Sequence, residues 1–262
     1  AIKLGSSDIS KVYLGATEVS KIYLGATEIY SSALSLLLDT YTGAGFAYSF
    51  RQIRSAYSGN NIRARESSGS TEQNIGFTAG VLDSSSLLTF TGSNDGLVPI
   101  EYDQSTNGNN LTQTTAANQL KIVDAGALVT SNSLAATQGS SSTGGQTSSI
   151  AFSGMTDIWF FTVVDITNTS SNQVLFESSA NQNTNFGGFL IWINNNKLKV
   201  VNKASSIGYV VTEYNISTGR QLISIRIRQG VDKDSFSEVY INGTQISLDS
   251  SSGTLDTAFV DN

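Results

Sequence analysis

Arg220–Leu248, RQLISIRIRQGVDKDSFSEVYINGTQISL, is the stretch whose reading decides the fold. It reads as three consecutive β-strands, anchored by a hairpin around Asn242-Gly243. Asn-Gly suits a two-residue type I′ turn because both central residues must take positive φ. That turn pairs Ile241 with Thr244 and Val239 with Ile246, so the apolar residues fall on one face. Glu238, Tyr240, Gln245 and Ser247 then share the other face. Upstream, Ile223, Ile225 and Ile227 alternate with Ser224, Arg226 and Arg228, the pattern of a sheet wet on one side.

Working outward, the whole chain has 262 residues, enough for one large domain or two small ones. Only 14% of residues are charged and the net charge is −6, without a basic cluster, which argues against nucleic acid as a partner. The chain holds neither Cys nor His, so disulfides, thiolate nucleophiles, imidazole bases and ordinary zinc sites are excluded. No cofactor is expected. The longest apolar run, residues 158–164, is far short of the roughly 20 residues that cross a bilayer, so no membrane insertion is expected.

Residues 1–30 are three copies of a ten-residue repeat: AIKLGSSDIS, KVYLGATEVS, KIYLGATEIY. Leu-Gly followed by a small polar pair reads as a turn, which makes the segment a run of short strands. A lone two-stranded ribbon buries neither face and is marginal in water. Residues 1–32 are therefore expected to be an attachment or oligomerisation arm, with Ile2, Leu4, Val12, Leu14, Ile22 and Leu24 meeting other chains or sister copies. A β-meander folded back on its own domain is the plainer alternative.

Leu34, Leu37 and Leu38 have helical spacing behind Ser31 or Ser32 as N-cap, and residues 47–57 suggest a second short helix. A strand is expected at 61–66 with Arg63 and Arg65 on one face, and a short helix over 82–90 with Asp83 near its start. Another strand is expected at 97–104, where Pro99, the only proline, favours a sheet edge or strand start.

Across about residues 33–130 the chain resembles the first part of the α-L-arabinofuranosidase B catalytic-domain family. The resemblance rests on Ala47-Tyr48-Ser49 with Arg51, on Tyr57 and Gly59, on Arg63 and Arg65, and on Tyr102-Asp103-Gln104-Ser105 with Gly108. It is more closely similar to phage virion proteins that carry this segment ahead of a concanavalin A/laminin G-like sandwich. The family pattern has other residues where Asn74, Glu101, Thr106 and Leu120 stand. Its catalytic acids lie in a later region with no counterpart here. The resemblance thus implies a fold and a phage setting and carries no active site across.

Residues 131–149 are rich in Ser, Gly and Thr and read as a flexible loop. Strands return at 158–166, 173–178, 188–193 and 197–203, with Phe189, Ile191 and Ile193 facing Leu198 and Val200 across the turn at Asn194–Asn196. This series, with Val239-Tyr240-Ile241-Asn242-Gly243, resembles a laminin G-like jelly roll. That fold normally adds one or two closing strands beyond residues 255–260, so the missing edge is expected from another chain or from a longer protein.

For chemistry, a glycosidase would need two carboxylates about 5–5.5 Å apart for retention or about 6.5–9.5 Å apart for inversion. Glu101 and Asp103, at i and i+2 of a strand, would share a face with Cα atoms about 6.6 Å apart. Glu177 and Glu213 are further candidates. The competing role for Asp103 is to order the following turn through an Asx-type hydrogen bond. Asp232 and Asp234 offer calcium two hard ligands where six to eight are needed, so a solvated turn is the better expectation. For glycan binding, Trp192, Tyr209, Tyr214 and Tyr240 are the aromatic candidates, weighed evenly against burial beneath a second layer. Arg226 and Arg228 are expected to be solvated or paired.

The expectation is a mainly β chain: the repeat arm, then, over 33–262, an antiparallel jelly-roll sandwich with a few short helices near its start. The function expected is a virion surface protein (fibre or capsid decoration), a homo-oligomer displaying a lectin-like sandwich to glycans. An arabinofuranosidase-type glycoside hydrolase is the alternative, and a purely structural decoration protein the third possibility.

Overall fold

The computed structural model describes residues 3–4, 7–8, 13–15, 17–19, 21–25, 27–31, 36–139, 152, 155–177, 189–205, 208–228 and 231–253. Each decapeptide folds as its own hairpin: β1 (Lys3–Leu4) with β2 (Ser7–Asp8), β3 (Tyr13–Leu14) with β4 (Thr17–Glu18), and β5 (Lys21–Leu24) with β6 (Thr27–Ser31). Gly15 and Gly25 turn the last two at φ 65° and 63°, where a Cβ would be strained. Leu14 is 81% exposed and Leu24 73%, while Ile22 is half-buried. Ile2 and Val12 lie outside the described residues, as does the side chain of Leu4.

Residues 36–139 build a first layered unit. After α1 (Leu37–Thr40) come β7 (Ile62–Glu66), β8 (Glu72–Ile75), the pair β9 (Phe77–Thr78) and β10 (Val81–Leu82), and α2 (Ser84–Thr91). Then follow β11 (Gly96–Glu101), β12 (Leu111–Thr112), β13 (Leu120–Asp124), β14 (Ala127–Leu128), and the pair β15 (Thr130–Ser131) and β16 (Leu134–Ala135). The order β14-β13-β11-β7-β8, with β12 on β11, makes one antiparallel sheet. Ile62, Ala64, Ile75, Val98 and Ile122 form its core with Leu87 from α2. Asp83 caps α2 by accepting the Ser86 N–H at 3.0 Å.

Two local expectations are corrected here. Residues 47–57 form no helix, because their backbone groups are met by side chains from distant loops (below) and by an isolated bridge between Arg51 and Val81. Pro99 sits in the interior strand β11, not at an edge. The ladder to β7 shifts register between Leu97 and Ile100, and the pairing with β13 ends at Val98, so its missing N–H breaks no bond.

The second unit is a sandwich of two antiparallel sheets. Its strands are β17 (Asp157–Ile166), β18 (Gln173–Glu177), β19 (Phe189–Asn194), β20 (Lys197–Ser205), β21 (Gly208–Asn215), β22 (Gly219–Arg228), β23 (Ser237–Ile241), β24 (Thr244–Ile246) and β25 (Ser250–Gly253). One sheet runs β17-β22-β23-β24 and the other β18-β19-β20-β21-β25. Both turns expected from sequence form: Asn195 and Asn196 take φ 51° and 61°, Asn242 and Gly243 52° and 82°. Between the sheets lie Ile191, Ile193, Leu198, Val200, Ile223, Ile225, Ile227 and Val239, with Phe236. These pairings make a mainly β antiparallel sandwich; a jelly-roll closure is not among the pairings of the described residues.

The two units meet through Phe46, whose ring stacks on Phe176 at 5.8 Å with an interplanar angle of 2°. The Ser131 hydroxyl also donates to Asp165 at 3.0 Å.

Candidate functional site

At the end of β11, the Tyr102-Asp103-Gln104-Ser105 motif is a knot of hydrogen bonds. Asp103 Oδ1 accepts the N–H groups of Ala47 (2.9 Å) and Ser105 (2.8 Å). Its Oδ2 accepts the Ser105 hydroxyl (2.6 Å) and the Asn109 N–H (3.1 Å). Gln104, fully buried, donates to the carbonyls of Ser49 (2.8 Å) and Arg51 (3.0 Å) and accepts the Ile53 N–H (2.9 Å). Asn61 adds a bond to the Ser49 carbonyl at 2.6 Å. Asn74 Oδ1 accepts from both Tyr102 (2.9 Å) and Arg63 Nε (3.0 Å). Four donors already surround the Asp103 carboxylate, which leaves it no lone pair aimed at a substrate.

Glu101 differs. It pairs with Ile62 and Leu111 and shares the side of the ladder that carries Ile62, part of the apolar core. The side chain is half-buried, with no hydrogen bond or ion pair among the described residues, and burial pushes its carboxyl up to about 7. Such a group carries a proton near neutral pH and is a potential proton donor. Burial, followed by the charge of Asp103, raises the nearby Tyr57 phenol.

On the sandwich, Trp192 lies on the outer face of the five-stranded sheet opposite Lys199, whose Nζ sits 5.7 Å from the ring centroid. Lys199 pairs with Glu213 at 2.8 Å, and this bond holds the Glu213 carboxyl below its usual range. Glu177 ends β18 opposite Leu190. Tyr214 is a correction: only 1% exposed, it points between the sheets, and its hydroxyl donates to the Ser237 carbonyl at 2.6 Å. It cannot present its ring to a sugar. The Tyr209 side chain lies outside the described residues. Lys233 holds Asp234 at 2.6 Å and the Ser251 hydroxyl also donates to it, while Asp232 is exposed. Among the described residues no three acidic side chains gather as metal ligands.

Tyr240 belongs to a larger constellation on the outer face of the four-stranded sheet. The register sets Trp159 opposite Arg226 and Glu238 in one row, and Phe161 opposite Ser224, Tyr240 and Gln245 in the next. Trp159 and Phe161 are parallel to within 8° at 5.8 Å, and Tyr240 lies 6.0 Å from Trp159. Phe161 remains 63% exposed and Trp159 45%. Arg226 stands 5.7 Å from the Trp159 ring and grips Asp157 through Nε (3.0 Å) and Nη2 (2.6 Å). That grip lowers the Asp157 carboxyl and raises the guanidinium. Arg228 pairs with Glu238 at 2.6 Å. Beside this row an open cleft of about 440 Å³ is lined by Arg228, Glu238, Gln245, Ser247 and Asp234. Sequence reading found Tyr240 and the arginines but passed over Trp159 and Phe161. Their signal was available once residue 158 was set opposite Ile227.

No protein-family model matches the sequence, and no curated protein matches it. Solved structures do. An arabinofuranosidase complexed with arabinofuranosyl-α-1,2-xylobiose superposes over 81% of this chain and 51% of its own, with TM-score 0.50 and 18% identity. A mutant α-L-arabinofuranosidase of glycoside hydrolase family 54, soaked with 4-nitrophenyl α-L-arabinofuranoside, covers 80% and 54% at TM-score 0.49 and 16% identity. What is shared is the fold. This chain spans about half the length of those enzymes. The expectation of a virion, fibre or capsid-decoration protein is corrected here: the structure that this chain matches at TM-score 0.50 is that of a glycoside hydrolase.

Proposed function

We propose that this chain is the β-sandwich body of a glycoside hydrolase of α-L-arabinofuranosidase type, acting on arabinofuranosyl-bearing polysaccharide. The observation that carries this reading is the correspondence of four-fifths of the chain with an arabinofuranosidase that holds such a ligand. Glu101 is the proposed proton donor, since burial keeps it protonated to about pH 7 and no hydrogen bond or ion pair among the described residues occupies its carboxyl. The carboxylate that would complete the pair is not Asp103, whose oxygens are occupied.

Release of 4-nitrophenol from 4-nitrophenyl α-L-arabinofuranoside tests this. Turnover should fall as pH rises through about 7, where Glu101 loses its proton, and Glu101→Gln should lower kcat by about 100-fold. A chain that releases nothing at any pH from 5 to 8 would sink the hydrolase. The occupied Asp103 favours one second reading, a glycan-binding sandwich without turnover. For residues 1–31 we propose self-association through the exposed Leu14 and Leu24, which sedimentation of a chain lacking the hairpins would abolish.

A further inference from the structure

We infer that the outer face of the four-stranded sheet is a second carbohydrate site, separate from Glu101, which binds the backbone of a polysaccharide built of β-linked pyranose rings. The choice of ligand rests on the carbohydrate reading above; the site itself rests on geometry. Phe161, Trp159 and Tyr240 form one contiguous aromatic surface with successive centroids 5.8 and 6.0 Å apart. An equatorially substituted pyranose presents C–H bonds on its faces and hydroxyls around its rim. It therefore needs flat aromatic surface beneath and hydrogen-bonding groups at the side.

Both are present. The floor between Phe161 and Tyr240 is the small Ser224. Along one side run Asp157, Arg226, Arg228 and Glu238, pinned to one another so that their remaining donors and acceptors are held in place. The Tyr240 row continues into Gln245, which lines the adjoining cleft together with Glu238 and Ser247. A sugar chain stacked on the rings would thus lead into a polar recess.

A second copy of the chain fits this face less well. Charges bound it at both ends: Asp157 and Arg228 at one, Asp165 and Arg220 at the other.

The test is affinity electrophoresis of the full chain in gels containing soluble arabinoxylan. The wild type should be retarded, and Phe161→Ala and Trp159→Ala should each bind about ten-fold more weakly. Trp192→Phe, on the opposite sheet, and Glu101→Gln should be retarded like the wild type. Since Trp159 and Phe161 are exposed, both variants should keep the wild-type circular dichroism. Absence of retardation in the wild type, or equal retardation in both aromatic variants, would overturn the site. So would a wild-type dimer in sedimentation that Phe161→Ala dissolves. Aryl-arabinoside turnover without retardation would remove this site and leave the hydrolase standing; retardation without turnover would do the reverse.

Discussion

The amide of Gln104 does for one side of residues 49–53 what a neighbouring strand does elsewhere, supplying two donors and one acceptor to a backbone whose other side meets Val81 in an isolated bridge. Truncation would leave the Arg51 carbonyl and the Ile53 N–H without this partner, Ser49 keeping its bond from Asn61, so Gln104→Ala should destabilise the chain by about 1–3 kcal/mol in urea unfolding. Glu101 makes the opposite point. Its folded carboxyl, near 7, lies above the ordinary glutamate value of 4.5, so the native state holds the proton more tightly than the unfolded chain. Stability is therefore complete below about pH 4.5 and declines as pH rises to about 7, by up to about 3 kcal/mol. Glu101→Gln should flatten that slope, as urea midpoints measured from pH 4 to 8 would show. The bonds of Gln104 could not be read from sequence, because its partners are 51 to 55 residues away. Residues 47–57 look helical only when that amide is ignored.

Among the elements, the hairpins were legible because their turn chemistry is local. Asn242 does more than accept positive φ: its side chain accepts the Leu222 N–H at 2.9 Å and its own N–H donates to the Leu222 carbonyl at 2.8 Å. The turn thereby fixes β23–β24 to β22. Asn242→Ala should cost about 2 kcal/mol, combining strain at φ 52° with the lost bond, readable as a lower thermal midpoint. Strand β17 was harder to read. Residues 158–164 are almost continuously apolar, so period alone hides which side faces out. Only pairing Phe160 with Ile225 turns Trp159 and Phe161 toward solvent. Tyr214 failed for a related reason: a tyrosine in an alternating strand suits either face, and a buried acceptor at Ser237 decided it.

At the level of the whole chain, residues 36–139 form a sheet with its own core beside the core of the sandwich. Phe46 is the rivet between them, stacked on Phe176 and packed on the sandwich core. Phe46→Ala should cost about 2 kcal/mol and split one calorimetric transition into two, as each core melts by itself. A single undivided peak would show that other contacts carry the coupling.

The opening hairpins have a consequence for how such chains vary. Among the described residues, the strand pairing of each unit runs across its own turn and not to the unit before or after. Gaining or losing one copy would lengthen or shorten the leader in fixed steps and leave the body untouched. Such a segment is a ruler whose graduations genetic slippage can add or erase, unlike any strand in a shared sheet.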